Sequence, residues 1–189
     1  MNPTPLNMGG RCGCLVDGIP QLACYTTLEP GQHTIEPLTG FPLIRDLTVD
    51  RSSLTRRLDD SVVAVISQKD MSISPEVSYD FCWEVLDRLQ KCRECGACVS
   101  TCPVCQQNTA SYAGPAVFGQ IYLRAADGLD EGDRVLQAVE AGVFSCLLCG
   151  KCDSVCSVGI DHVDAHTKLR EMAVERHLEP IEESLVEAI

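Results

Sequence analysis

The sequence predicts an α+β protein, with a small β-containing N-terminal segment (residues 1–48) ahead of a helical domain (residues 49–189). Three features point to it. The first 48 residues are rich in Gly, Pro and Thr, which suits loops and short strands. From Val49 onward apolar residues recur at helical spacing. A run of four cysteines, C-x₂-C-x₂-C-x₃-C, then appears twice, from Cys92 to Cys102 and from Cys146 to Cys156, each time between helical stretches. The second half therefore reads as a weak internal duplication with a long insertion between its halves.

The elements follow in order. Leu15 to Cys24, L-V-D-G-I-P-Q-L-A-C, reads as a hairpin with Asp17-Gly18 at its turn. Asp50 is a helix cap, with Leu54, Leu58, Val62 and Val65 or Ile66 on one face beyond it. Ser74-Pro75-Glu76 is a helix start, Ser as cap and Pro in the first turn. Val77, Phe81, Val85 and Leu89 then form a stripe that leads into Cys92. Gly114-Pro115 opens a helix through Phe118, Ile121, Tyr122 and Ala125. Arg134 to Glu140 is a short helix ahead of the second cysteine run. Asp161 to Leu178 is the last long helix, followed by Pro180 and an acidic tail.

Each cysteine run sets three thiolates within less than two turns of chain, where they can close on one face of an Fe₄S₄ cube. The three-residue spacer carries the fourth cysteine away from that cube. In two-cluster ferredoxins the fourth cysteine ligates the other cluster. The same assignment here gives Cys92, Cys95, Cys98 and Cys156 to one [4Fe–4S] cubane and Cys102, Cys146, Cys149 and Cys152 to a second. Zinc sites use paired C-x₂-C units separated by a longer loop, not four cysteines in eleven residues, so the spacing speaks against them and against a disulfide framework.

The bulk properties agree. The 13 cysteines in 189 residues are dense for a chain without a secretory signal, since Met1 to Gly10 is polar and rich in Pro, Asn and Gly. Thiols that must stay reduced to hold iron fit the cytoplasm or the cytoplasmic face of a membrane. The longest apolar run, Val62 to Ile66, is far too short to cross a bilayer, so membrane attachment would need a partner. A net charge of −12 argues against a nucleic-acid partner, whose phosphates demand a basic face. Aromatics make up only 5 % of the chain, which leaves part of the ordering to the clusters. No G-x-G-x-x-G, no G-x₄-G-K-[ST] and no nucleophile–base constellation occurs, so substrate chemistry belongs to another subunit.

With these residues in view, the chain resembles the iron–sulfur subunits of the succinate dehydrogenase/fumarate reductase family. More narrowly it is similar to the two-[4Fe–4S] thiol:fumarate reductase branch, whose second half also resembles the C-type subunit of heterodisulfide reductase. The resemblance rests on L-A-C at Leu22 to Cys24 and on I-E-P-L-T-G-F-P-L-I-R-D-L-T-V-D from Ile35 to Asp50. It continues through C-P-V at Cys102, A-G-P-A at Ala113 and G-V-F-S-C from Gly142 to Cys146. It implies an electron-transfer subunit working with an FAD-containing flavoprotein and a second partner. That partner is a membrane anchor with quinone or a Cys-rich heterodisulfide-reductase-like subunit. The alternative is an electron wire like the C-type heterodisulfide reductase subunit, in a soluble electron-bifurcating, hydrogenase or formate dehydrogenase complex.

Three departures from the family pattern stand out. Ordinary members keep a three-iron cluster nearest the quinone and lack a cysteine at the position of Cys149, so its presence implies a full second cubane. Ser157 follows Cys156 where Pro is usual. The family's N-terminal half binds a [2Fe–2S] cluster in a β-grasp fold through a C-x₄-C-x₂-C…C arrangement. Here only Cys12, Cys14 and Cys24 stand as candidate ligands, Asn7 lies five before Cys12, and C-G-C replaces C-G-x-C. A degenerate site, a truncated start and a fold completed by another chain all remain open.

Several other side chains take bland readings. Cys82, between Phe81 and Trp83, and Cys105, close behind C-P-V, are expected to pack as small hydrophobes. His162 and His166, at i, i+4 spacing, and His177 are expected at the surface or against a partner. Lys91, Arg93 and Lys151 lie beside the cysteine runs and are candidates to offset cluster charge.

Overall fold

The computed structural model describes residues 9–61, 83–107, 111–128, 130–178 and 180. The expected hairpin is present, with β1 at Gly13–Val16 and β2 at Ile19–Leu22, in register Gly13↔Leu22 through Val16↔Ile19. Asp17 (φ 51) and Gly18 (φ 78) both take the left-handed backbone that a two-residue turn needs to match strand twist. A short β3, Ile35–Glu36, pairs antiparallel with the other edge of β1. The turn is clasped to it: Thr34 N–H donates to Asp17 Oδ1 at 2.8 Å, and His33 Nδ1 lies 2.7 Å from Asp17 Oδ2. Two further short strands, β4 Leu43–Arg45 and β5 Thr48–Val49, pair antiparallel.

The Asp17–His33 contact gives a pH-dependent clasp. The hydrogen bond that His33 donates to Asp17 is the largest cause that raises the His33 pKa above its usual value near 6.5. A raised folded pKa means that the clasp is at full strength below about pH 6.5, as long as Asp17 is ionised, and weakens as pH rises through the raised value. His33 is expected to titrate above free histidine in an NMR pH series, and Asp17→Asn to bring it back. An unchanged midpoint in that variant would show that the carboxylate is not the cause.

Helix α1 spans Ser52–Ser61 and is capped as expected, with Ser52 N–H donating to Asp50 Oδ1 at 2.8 Å. Leu54 and Leu58 turn inward, each 4 % exposed. The expected continuation through Val62 and Ile66, the Ser74-Pro75 start and Cys82 lie outside the described residues. Helix α2, Trp83–Gln90, buries Leu86 and Leu89 and delivers the chain to Cys92. Short helices α3, Ala97–Thr101, and α4, Pro103–Gln107, bracket Cys102.

The centre of the core is α5, Pro115–Ala125, which starts at Gly114-Pro115 as its sequence indicates. Val117, Phe118 and Ile121 are fully enclosed. Each such burial stabilises by about 1.5–3 kcal/mol. Helix α6, Arg134–Glu140, takes Asp133 as its cap, and α7 is the single turn Lys151–Ser154. Helix α8, His162–Glu175, begins at an Asp161 cap and lays Ala165, Leu169 and Ala173 against α5 and α6. It ends three residues before the expected Leu178, because His177 takes φ 55 and its N–H turns back to Val174 O.

The expectation of exposed histidines on α8 is corrected at two of three positions. His162 and His166 are 2 % and 0 % exposed, whereas His177 is exposed. Their i, i+4 spacing is that of a buried helical stripe, not of a metal pair. His166 Nδ1 lies 2.6 Å from His162 O and its Nε2 lies 3.0 Å from Tyr112 Oη, with the Phe118 ring tilted against it at 4.6 Å between ring centroids. Burial lowers the pKa of both, His166 to about 4, so both are neutral at physiological pH.

Candidate iron–sulfur centres

The two cysteine runs share more than spacing. In the first, Glu94 (φ 51) and Gly96 (φ 81) take left-handed backbone. In the second, Leu148 (φ 51) and Gly150 (φ 73) do so at the same two positions. This winding turns peptide N–H groups toward sulfur. Leu148 N–H reaches Cys146 Sγ at 3.4 Å, and beyond the second run Ile160 N–H reaches Cys156 Sγ at 3.3 Å. The third cysteine of each run, Cys98 or Cys152, then enters the first turn of α3 or α7. A repeated local conformation underlies the duplication that the sequence suggested.

Cys92, Cys95, Cys98 and Cys156 line one pocket, closed on its apolar side by Ala116, Val158 and Ile160. Three of these cysteines come from the first run and one from the end of the second. Burial is the main cause that pushes three of these thiols up: Cys92 to about 11, Cys95 above its usual value, and the buried Cys98 well above it. Negative charge on neighbouring sulfurs adds to each shift. Four thiolates in such a place need a cationic core to exist together, and an iron cubane is such a core.

The second group sets Cys102 and Cys146 beside Tyr112, with Cys152 close to both cysteines. Burial and then the charge of Cys146 and Cys102 raise the pKa of Tyr112; burial, then Asp153, then the same two cysteines raise that of Cys152. Cys102 is brought down to about 6, chiefly by a hydrogen bond from Cys105, which is itself buried at 3 % exposure. Cys149 stands exposed on the loop between Leu148 and Gly150. Among the described residues no three Cys, His, Asp or Glu side chains converge as a single metal ion would require. A cubane presents four separate irons, each taking one thiolate, so a wider ring of cysteines suits it. The first donor set fits such a cluster, and Cys102, Cys146 and Cys152 supply three thiols toward a second.

At the N-terminus the structure brings Cys12 and Cys24 together, Sγ to Sγ at 3.2 Å, across the base of the hairpin, where Ala23 N–H donates to Cys12 O at 3.0 Å. Cys14 is 4 % exposed within β1, its pKa raised by burial and then by Cys12. A C-x₄-C-x₂-C…C ligand set can be laid on this segment in two registers. With Cys12 as the second ligand, the first and third fall on Asn7 and Leu15. With Cys12 as the third, the first two fall on Thr4 and Gly9. Either register supplies two thiolates of four, and neither uses Cys14. The thiols present do not complete a four-cysteine [2Fe–2S] site.

Two arginines join the cysteine runs to their surroundings, and neither has a local sequence signal. Arg51 Nη1 donates to Gly10 O at 2.7 Å and to Cys95 O at 2.9 Å. Arg170 Nη2 donates to Cys146 O at 2.6 Å and to Val143 O at 2.9 Å. Each fastens the carbonyl of a candidate ligand cysteine from a helix or its approach. Lys91, Arg93 and Lys151, the sequence candidates for this electrostatic role, are all exposed, and Lys91 pairs instead with Asp87 at 2.6 Å.

Residues 88–160 match the family described as a 4Fe-4S dicluster domain, and residues 6–56 match that of a 2Fe-2S iron-sulfur cluster binding domain. The fumarate reductase iron-sulfur subunit of Haemophilus influenzae is 30 % identical over 173 residues, an alignment covering 82 % of this chain and 67 % of that protein. The chain belongs to the fumarate reductase/succinate dehydrogenase iron–sulfur subunit family. Within it, the chain is also similar to a fumarate reductase (CoM/CoB) subunit of Methanothermobacter marburgensis, 35 % identical over 176 residues, or 92 % of this chain and 34 % of that one. It spans about a third of the length of the first curated relatives it matches. Among solved structures it is similar to a chain of the Mycobacterium smegmatis Sdh1 complex in the apo form. There the TM-score is 0.78 at 26 % identity, covering 95 % of this chain and 79 % of that one. Among the described residues no helix is long and apolar enough to cross a membrane.

Proposed function

We propose that this member of the family is the electron-transfer subunit of a succinate dehydrogenase/fumarate reductase-type oxidoreductase. It passes electrons between an FAD-containing subunit and a second partner, either a membrane anchor with quinone or a Cys-rich subunit, at the cytoplasmic face of a membrane. The observation that carries this is the convergence of Cys92, Cys95, Cys98 and Cys156, drawn from both runs, on one pocket. Cys102, Cys146, Cys149 and Cys152 form the second ligand set. Residues 1–48 are read as a partial β-grasp segment docked on the helical domain 49–189.

Clusters held by these two cysteine sets would supply one-electron transfer. The chain's own residues hold and tune. The cysteines fix position, N–H groups of Leu148 and Ile160 stabilise charge on Cys146 and Cys156, and the apolar wall of Ala116, Val158 and Ile160 keeps water from the first set. Arg51 and Arg170 hold the two runs in register with the rest of the fold.

Co-expression with a flavoprotein of the dehydrogenase type tests this reading. The flavoprotein should co-purify, and fumarate should reoxidise the reduced clusters only when it is present. Stable co-purification solely with Cys-rich or hydrogenase-type subunits would favour the heterodisulfide reductase-like wire instead. At the second site Cys149→Ser should release one iron, lowering the content from about eight to about seven per chain. A three-iron EPR signal should then appear in the oxidised protein. An unchanged spectrum would remove Cys149 from the ligand set.

A further inference from the structure

The N-terminal segment matches a 2Fe-2S family yet offers two converging thiols where four are needed, and those two are placed for another chemistry. Cys12 and Cys24 face each other across the hairpin base with 3.2 Å between sulfurs. A disulfide needs about 2.05 Å, so a shift of roughly 1 Å closes the bond. Cys24 is exposed and Cys12 half-buried, which leaves a path for a reagent. Cys12 also opens onto a cleft of about 690 Å³ whose charged lining is Arg11, Arg51, Arg93 and Glu94. This is a locally positive concavity on a chain of net charge −12.

We propose that Cys12 and Cys24 form a redox-active dithiol, oxidised by an anionic low-molecular-weight disulfide that enters the arginine-lined cleft. Cys12 thiolate attacks one sulfur of the disulfide RS–SR, forming a mixed disulfide and releasing RS⁻. Cys24 thiolate then attacks the Cys12 sulfur, forming the Cys12–Cys24 bond and releasing the second RS⁻. The two protons lost from the cysteines go to the two leaving thiolates, and two electrons pass from the protein to the reagent. Arg93 and Glu94 of the first cysteine run line one side of this cleft. Gly10 packs so closely there that a Cβ would sit 2.0 Å from Arg93 O, and Arg51 ties Gly10 O to Cys95 O. The thiol pair therefore sits against the first ligand set. The proposal stands apart from the partner reading above, because it concerns only this chain and a small molecule.

The experiment uses the intact, anaerobically purified chain with its clusters. Oxidised glutathione is added, and free thiols, iron content and cysteine-linked peptides are followed. The expected result is a Cys12–Cys24 cross-linked peptide with no loss of iron. Cys24→Ser should instead stop at a glutathione adduct on Cys12. Raised ionic strength should slow the reaction with oxidised glutathione several-fold but leave that with neutral hydroxyethyl disulfide unchanged. Equal salt responses of the two reagents would overturn the cleft's role. A [2Fe–2S] signal with about ten irons per chain, lost in Cys12→Ser, would overturn the proposal altogether.

Discussion

Cys102→Ala is expected to remove the cluster held by Cys146, Cys149 and Cys152 and to leave that held by Cys92, Cys95 and Cys98 in place. Iron should fall from about eight to about four per chain. Cys102 lies in the first run but sits with Cys146 beside Tyr112 and close to Cys152, while Cys156, at the end of the second run, lines the pocket of the first. The two halves would thus be tied by iron–sulfur bonds, and metal binding energy is folding energy in such sites. The variant should therefore also loosen the packing of α7 and the approach to α8 against α3. Redox-poised EPR, which follows each cluster separately, is the check. Loss of the cluster near in sequence, with survival of the distant one, would mean that ligation is local to each run.

Gly142→Ala should be the most damaging single methyl group near the second site. Gly142 has φ +84, and a Cβ there would lie 2.1 Å from Ser111 O and 3.2 Å from Ser111 C. The left-handed backbone alone costs about 1–3 kcal/mol for a non-glycine residue. The contact is with main chain, so the 111–112 segment has to move, although Ala113 N–H is bonded to Ala141 O at 3.0 Å. That movement carries Tyr112 away from Cys102 and Cys146. Thermal stability should drop and the second cluster should bleach first. Gly18→Ala is the control, since Gly18 has φ +78 but nothing within 4 Å of where its methyl group would stand. It should cost only the backbone preference. Equal losses in the two variants would show that the close approach at Gly142 does not matter.

The parts of the fold that could be read in the sequence are those set by neighbours along the chain. Asp17-Gly18 specifies its turn by backbone preference, Gly114-Pro115 and the Asp50 cap specify helix starts, and the cysteine spacing places Cys92, Cys95 and Cys98 together at one pocket. What depends on contacts across the chain was hidden. His162 and His166 share a stripe with Leu169 and Ala173, but a polar residue on a stripe reads as surface until Tyr112 and Pro115 O are seen to satisfy it. Arg51 and Arg170 act on carbonyls 44 and 24 residues away, a relation with no local signature. Cys12, Cys14 and Cys24 looked equivalent as candidates; pairing across the hairpin brings the first and last together, and the strand buries the middle one.

The most direct measurement is EPR with Mössbauer spectroscopy of the intact, anaerobically purified protein, first oxidised and then reduced in steps. The expected oxidised protein shows no three-iron signal, and full reduction yields two [4Fe–4S]⁺ centres close enough to broaden each other's spectra. A three-iron signal near one spin per oxidised chain, or a single magnetically isolated cluster after full reduction, would contradict the two cross-ligated cubanes assigned to these eight cysteines.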